Sequence, residues 1–345
     1  MAIFFTSARQ KIEVEDKPLG KGGEGSVHKI VSPAFLKDCC LKLYADKYKT
    51  SERQSKIEFM VKNKPSKLSS TVYMLCWPNE IVFNDIGKFV GFLLPLAWPN
   101  SVRLYGLCLP DKDTPNPAWL SRFARHTSQG KASRLKLIVN IASAIHSVHS
   151  LNKYVFVDMK PENILVTEEA KIAIIDLDSI QIAENKQVQF NAQVATPEYS
   201  PPEAINPKEN YIPVSWDRFS MAIIFYKLLF GIHPFTASFK SSYEQITTPQ
   251  EAIKNGLFVN GYKWRYVATL PPPHGNFKNM DMRLQDLFKL AFDNGLIRAD
   301  LRPTAENWGK IVYDIVNAKI TSTVFLSSEI ENVLKNRIRQ IKGLL

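Results

Sequence analysis

The chain has 345 residues, 45% of them hydrophobic and including 20 Phe and 6 Trp. That is enough apolar material for about two domains or one large two-lobed unit, and it excludes bulk disorder. The 44 Lys+Arg against 33 Asp+Glu leave a net charge of +11, but no zinc-finger spacing, aromatic RNA-binding signature or heptad-bearing basic region accompanies it, so nucleic acid is not an expected partner.

Four cysteines, Cys39, Cys40, Cys76 and Cys108, lack metal-ligand spacing and fit a reducing compartment. The N-terminal run MAIFFTSARQ has no basic region ahead of it and does not read as a secretory signal. Met221 to Ile232, the longest apolar stretch, holds twelve residues and includes Lys227, whereas a bilayer span needs about 20. The expectation is a cytoplasmic chain with no membrane partner.

In chain order, Ile12 to Lys17 alternates weakly, a glycine-rich turn follows, and Ser26 to Val31 and Cys39 to Tyr44 read as strands. Residues 50–64 carry a charged helical pattern that stops before Pro65. The basic excess is concentrated here, in Lys47, Lys49, Arg53, Lys56, Lys62, Lys64 and Lys67 against Glu52 and Glu58, and the ordinary reading is a solvated helix face. An acidic partner or regulator drawn to that helix is the alternative.

Glu80 to Asn84 and Phe89 to Leu94 are apolar runs around Asp85-Ile86-Gly87, a hairpin-type turn. Pro95 to Asn100 reads as a linker. Beyond it the pattern is helical: Arg134 to Leu151 is amphipathic, and Trp216 to Phe230 is apolar on nearly all sides, as a buried helix would be. His146 and His149 on the first of these have no metal-binding company and are expected to pack or cap. Ser328 and Glu331 form a capping-box start for a tail helix ending at Gly343-Leu344-Leu345, an apolar end that predicts continuation of the natural chain.

Two constellations carry chemistry. Residues 20–27 are Gly20-Lys21-Gly22-Gly23-Glu24-Gly25-Ser26-Val27. A dinucleotide turn with similar glycines leads into a helix, but here a second strand follows, so the turn is the lid of a hairpin whose backbone N–H groups cover phosphates. Lys42, ending the small strand after Cys40, becomes a candidate cation for those phosphates. A carboxylate is needed to hold it, and Glu58 is preferred to Glu52.

The second constellation is Asp158, Lys160 and Asn163 between apolar strand-like flanks, with Asp176-Leu177-Asp178 following Ile172 to Ile175. Polar groups at the ends of buried strands are either well paired or functional.

Taken together and in order, roughly from Leu19 to Ile315, these motifs resemble the protein-kinase superfamily. The glycine turn and Lys42 match its ATP-phosphate positions, Asp158 to Asn163 its catalytic loop, and Asp176 its Mg²⁺-binding aspartate. Ala195 to Glu203 resembles the segment ending in A-P-E, Asp217 the aspartate of the central helix, and Arg302 the arginine that pairs with that glutamate, here Glu203.

The resemblance implies an α+β, bilobal fold, a β-rich N-lobe over 1–97 with one helix and a helical C-lobe over 98–318, and the helical spacing of the tail adds a C-terminal amphipathic helix over 319–345. It implies ATP and Mg²⁺ as cofactors, with Asp158 taking the substrate proton and Asn163 and Asp176 binding the metal. Lys42 would hold the phosphates. Gly20, Gly22 and Gly25 would cover them, and Val27, Cys40, Leu94, Leu96 and Leu165 would line the base pocket. Lys160 and Thr196 resemble the serine/threonine-specific members, so protein Ser or Thr hydroxyls are the expected acceptors.

Departures are equally specific. Phe156-Val157 stands where the family has His-Arg, which predicts activity without an activation-segment phosphate bound by that arginine. Asp178 replaces a glycine, and a hydrogen-bonding role within its own loop is the favoured expectation. Loss of the His, Arg and Gly keeps a nucleotide-binding scaffold without turnover as the alternative function. Asp176 to Gln181 and Gly231 to Phe235 resemble a bacterial kinase family associated with a helix-hairpin-helix region. Its genes lie in tellurite-resistance-type operons, which would make a von Willebrand A protein and a metal-dependent phosphatase partners.

Overall fold

The computed structural model describes residues 1–317 apart from 193–194, 206 and 208–209; the expected helix from Ser328 lies outside the described residues. The N-terminal part is a sheet of strands β1 (Ala2–Thr6), β2 (Lys11–Val14), β3 (Gly20–Lys21), β4 (Gly25–Ser32), β5 (Cys39–Tyr44), β7 (Glu80–Phe83) and β8 (Phe89–Pro95). Their order is β2-β1-β7-β8-β5-β4-β3, and an additional β2–β4 pairing curls the sheet onto itself. β1 is a finding: the N-terminal run without signal character is a strand, paired antiparallel with both β2 and β7.

Alternation along β5 sets up the site. Successive side chains point to opposite faces. Leu41 therefore joins the apolar interior of the curled sheet with Ile12, Val14, Ile30, Val82, Val90 and Leu93. Cys40 and Tyr44 face the other way, into the core shared with the rest of the molecule, and Lys42 lies between them on that face. Gly25 and Gly91 are required by close strand packing. A Cβ on Gly25 would stand 2.1 Å from the Leu43 carbonyl oxygen, and one on Gly91 2.0 Å from that of Lys42.

Helix α1 (Ser51–Lys62) starts at Thr50, whose hydroxyl accepts from the Arg53 N–H. Its buried residues are Arg53, Lys56, Ile57 and Met60, the i, i+3, i+4, i+7 stripe of an amphipathic helix. Two of the basic cluster's side chains thus point inward, which corrects the reading of a wholly solvated face.

The C-terminal part is built on α2 (Ser128–His149), α3 (Ser215–Phe230) and α4 (Ala305–Asn317), with α4 packed along α2. α3 is buried on nearly every side and ends at Gly231, whose φ of +72° provides the left-handed cap. Between the two parts, β6 (Tyr73–Leu75), β9 (Val102–Arg103), β11 (Ile164–Val166) and β12 (Ile172–Ile174) form a sheet in the order β6-β12-β11-β9, and β10 (Tyr154–Val155), β13 (Gln181–Glu184) and β14 (Gln187–Phe190) form another. The β11–β12 hairpin brings the loop before β11 and the loop after β12 to one end. This mixed α+β arrangement, β-rich then helical, is the architecture expected from the sequence. Among the described residues no helix is long and apolar enough to cross a membrane.

Candidate active site

At that shared end, Asp158, Lys160 and Thr196 close a triangle. Lys160 Nζ donates to Asp158 Oδ2 at 2.6 Å and to Thr196 Oγ1 at 3.1 Å, and Thr196 Oγ1 donates to Asp158 Oδ1 at 2.6 Å. Asn163 Nδ2 donates to the Asp158 carbonyl at 3.1 Å, and the Ile175 N–H donates to the Asn163 carbonyl at 3.0 Å. The two loops are therefore stitched together, and Asp158, Lys160, Asn163 and Asp176 line one cavity.

The catalytic-loop backbone is held from beneath. Val157 has φ +65°, an uncommon conformation for a β-branched residue that costs on the order of 1–3 kcal/mol. Asp217, fully buried at the start of α3, offsets it: Oδ1 accepts from Val157 N at 2.8 Å, and Oδ2 from Phe156 N at 2.8 Å. His149 Nε2 lies 2.9 Å from the same Oδ2, so this histidine supports the loop from α2.

Lys42 does not meet Glu58. Its Nζ donates to Asp178 Oδ1 at 2.6 Å and to Asp176 Oδ1 at 3.1 Å, while Glu58 accepts from Gln54 at 2.9 Å. The expected Lys42–Glu58 pair is corrected by helix geometry, because Glu58 sits about 100° around the axis from Ile57, off the buried stripe.

Asp178 is likewise no local loop bonder. Besides Lys42, its buried carboxylate accepts from Tyr44 Oη at 2.6 Å and from Arg53 Nη1 at 3.4 Å. Burial alone would push this carboxyl up, but Lys42, Tyr44 and Arg53 outweigh it and hold it below the ordinary value. Burial pulls the Lys42 ammonium down, and the carboxylates of Asp178 and Asp176 more than reverse that, leaving it raised.

The remaining expected positions are near but not all polar. Val27 pairs with Lys42 across β4–β5, and Cys40 with Leu94 across β5–β8. Cys40 is buried, and its raised pKa, caused mainly by that burial, makes it an apolar wall. Leu96 donates its N–H to the Asp38 backbone carbonyl, and Leu165 is on β11. In the glycine turn, Gly20 pairs with Val27, Gly22 N donates to the Gly25 carbonyl at 2.8 Å, and Gly20 and Gly22 have open space beside them.

Arg302 forms the expected fork with Glu203, at 2.6 and 2.9 Å, and also donates to the Gly295 and Ser215 carbonyls. It anchors the segment after Thr196 to the start of α3.

The protein kinase domain family profile matches residues 116–304, more than half of the chain. The chain belongs to the protein kinase domain family. Protein kinase YegI of Escherichia coli K12 is 25% identical over 323 residues, covering 88% of this kinase chain and 44% of that protein. Serine/threonine-protein kinase MRCK gamma of Mus musculus is 33% identical over 123 residues, 34% of this chain and 8% of its own. Citron Rho-interacting kinase of the same species is 28% identical over 127 residues, 35% and 6%. The chain spans under half the length of the curated relatives it matches.

Residues that fit a nucleotide and its metal are present in this kinase chain. Asp176 keeps 42% of its side chain exposed toward the cleft. Among the described residues no hydrogen bond uses Asn163 Oδ1. One carboxylate and one amide oxygen are the hard donors a magnesium ion takes alongside phosphate oxygens.

Sequence reasoning missed Tyr44, Arg53 and Glu24 as parts of the site. The buried stripe of α1 was the available signal for Arg53. A second overlooked signal is that residues 180–195 contain no Ser, Thr or Tyr.

Proposed function

We propose that the chain is an ATP- and Mg²⁺-dependent serine/threonine protein kinase that works without a phosphate on its activation segment. The Asp158–Lys160–Thr196 triangle carries the reading. It holds a carboxylate where an incoming hydroxyl can give up its proton, next to a cation that remains when the proton has moved. Lys42, Asn163 and Asp176 would hold ATP and Mg²⁺, which when bound would supply the phosphoryl group and neutralise its charge.

Asp158 would accept the hydroxyl proton, Thr196 would fix which carboxylate oxygen faces the acceptor, and Lys160 would limit the charge that builds there. The Thr196 and Lys160 arrangement and the likeness to serine/threonine-protein kinases over part of the chain support Ser or Thr as acceptor.

Independence from activation-segment phosphate is supported from two sides. Val157 has no donor to bind a phosphate, and the hydroxyls flanking the Ser/Thr/Tyr-free stretch are engaged. Ser179 Oγ donates to the Asp176 carbonyl, and Thr196 is in the triangle. The von Willebrand A protein and metal-dependent phosphatase remain candidate partners on the sequence resemblance alone.

The test is transfer of label from γ-labelled ATP with Mg²⁺ to a generic protein acceptor, followed by phosphoamino-acid analysis. Asp158→Ala is expected to lose transfer while keeping its melting temperature. Equal labelling by both proteins would defeat the assignment. Phosphatase-treated wild type is expected to retain full activity.

A further inference from the structure

Three parts of the chain that must stay in register around a nucleotide meet at one buried carboxylate. Asp178 lies in the loop that carries Asp176, yet its side chain is fully buried and reaches Lys42 on β5, Tyr44 two residues on, and Arg53 on α1. Arg53 in turn grips Glu24 of the glycine turn through both of its terminal nitrogens, at 2.8 and 3.1 Å. The Glu24 carbonyl accepts from Ala45 N at 2.9 Å, just past the end of β5.

The two carboxylates on Lys42 are not equivalent. Asp176 is 42% exposed and available to a metal, whereas Asp178 has no exposed side-chain surface and is occupied by Lys42, Tyr44 and Arg53. When Asp176 turns to a metal, Asp178 is what remains to aim the ammonium. Without Asp178, Lys42 would settle on Asp176 and mask the metal ligand. Inward on α1, the side chains at the site are cations, so the compensating negative charge has to come from elsewhere.

We propose that Asp178 is the positioning residue that holds Lys42 toward the phosphates in place of a helix carboxylate, and that Arg53 clamps it to Glu24 so that the glycine turn, Lys42 and the Asp176 loop act as one unit. This rests on the nucleotide-binding part of the reading above.

The experiment measures Mg²⁺·ATP affinity of the full chain by calorimetry, the Mg²⁺ concentration at half-maximal ATP binding, and the melting temperature of each variant. Loss of a charge-assisted bond predicts that Asp178→Asn weakens affinity about tenfold or more and raises the Mg²⁺ requirement. Glu58→Gln, off the buried stripe, stays within about twofold of wild type. Glu24→Gln and Arg53→Met each weaken binding by about threefold to tenfold, and the double variant is no weaker than the worse single one, because both break one clamp.

Wild-type affinity in folded Asp178→Asn, or an equal loss in Glu58→Gln, overturns the proposal. So do independent, multiplying effects of Glu24→Gln and Arg53→Met, and that cycle decides alone if Asp178→Asn fails to fold. Wild type that binds Mg²⁺·ATP but transfers no phosphate defeats the kinase reading and leaves the clamp intact. Wild type that does not bind Mg²⁺·ATP overturns both.

Discussion

Asp217 accepts the backbone N–H of Val157 from directly beneath it, at 2.8 Å, and this holds a β-branched residue at φ +65° one position before Asp158. The same carboxylate restrains the strained position and takes the N–H of Phe156 beside it. Replacing Asp217 by Ala leaves two buried backbone donors, on Phe156 and Val157, without their acceptor. The expected cost is about 3–5 kcal/mol of stability, read from urea denaturation, with transfer activity lost even at temperatures where the variant stays folded.

Thr196 offers a finer test of the triangle. Thr196→Val keeps the shape and removes the hydroxyl that donates to Asp158 Oδ1. The Lys160–Asp158 bond survives, so the drop in kcat is expected to be partial, about 10- to 100-fold. Thr196→Ser restores the donor and should come back to within about threefold of wild type. A kinetic comparison with KM for ATP held in view separates this from a binding defect.

On the acid side, burial pulls His233 down to about 3 and His274 to about 4. Tyr226 Oη meets His274 Nδ1 at 2.7 Å, and His274 Nε2 faces the Thr236 carbonyl at 2.9 Å; a neutral ring with the proton on Nε2 satisfies both. Well above pH 6.5 the His233 and His274 rings are neutral in both folded and unfolded chains. Below it the unfolded chain takes up protons first, so stability falls as pH drops toward 4, by up to about 3 kcal/mol for each site. Melting temperatures between pH 6.5 and 4.5 should fall less steeply in His274→Gln than in wild type.

Lys56 behaves in the opposite pH range. Burial brings it down to about 8, and its ammonium donates to the Asn191 carbonyl at 3.2 Å. At neutral pH it is charged and buried, a cost removed when it deprotonates, so its penalty fades between about pH 8 and pH 10.5. Lys56→Met is therefore expected to raise stability at pH 7 by roughly 2 kcal/mol, and by much less at pH 9.5. Denaturation at the two pH values provides the check.

Much of this was legible in the sequence, for identifiable reasons. The β5 strand runs from Cys39 to Tyr44 as its composition required, and α3 covers Ser215–Phe230 because an all-round apolar helix has only the interior to occupy. Asp158, Lys160, Asn163 and Asp176 stand together because the β11–β12 hairpin joins the ends of their loops. The Lys42 partner was not legible, because it depends on which charges face one another across 136 positions of sequence. Spacing suggested Glu58, but the apolar members of the α1 stripe, Ile57 and Met60, point to Arg53 and Lys56 as its inward polar residues. Strand β1 was passed over because only its two neighbours reveal it.

The inward cations of α1 have a consequence for how related chains are judged. A checklist that asks for an acidic residue on this helix would accept Glu58, which bonds Gln54 and not Lys42, and so pass the chain for the wrong reason. What persists here is a balance of charge in space, with the negative member relocated to Asp178 and a positive one to Arg53. A relative in which both positions have changed together could keep the same balance, whereas one that had lost only Asp178 would leave two buried cations facing each other. Pairs of positions, read jointly, are the better guide to which members of such a group can still hold a nucleotide.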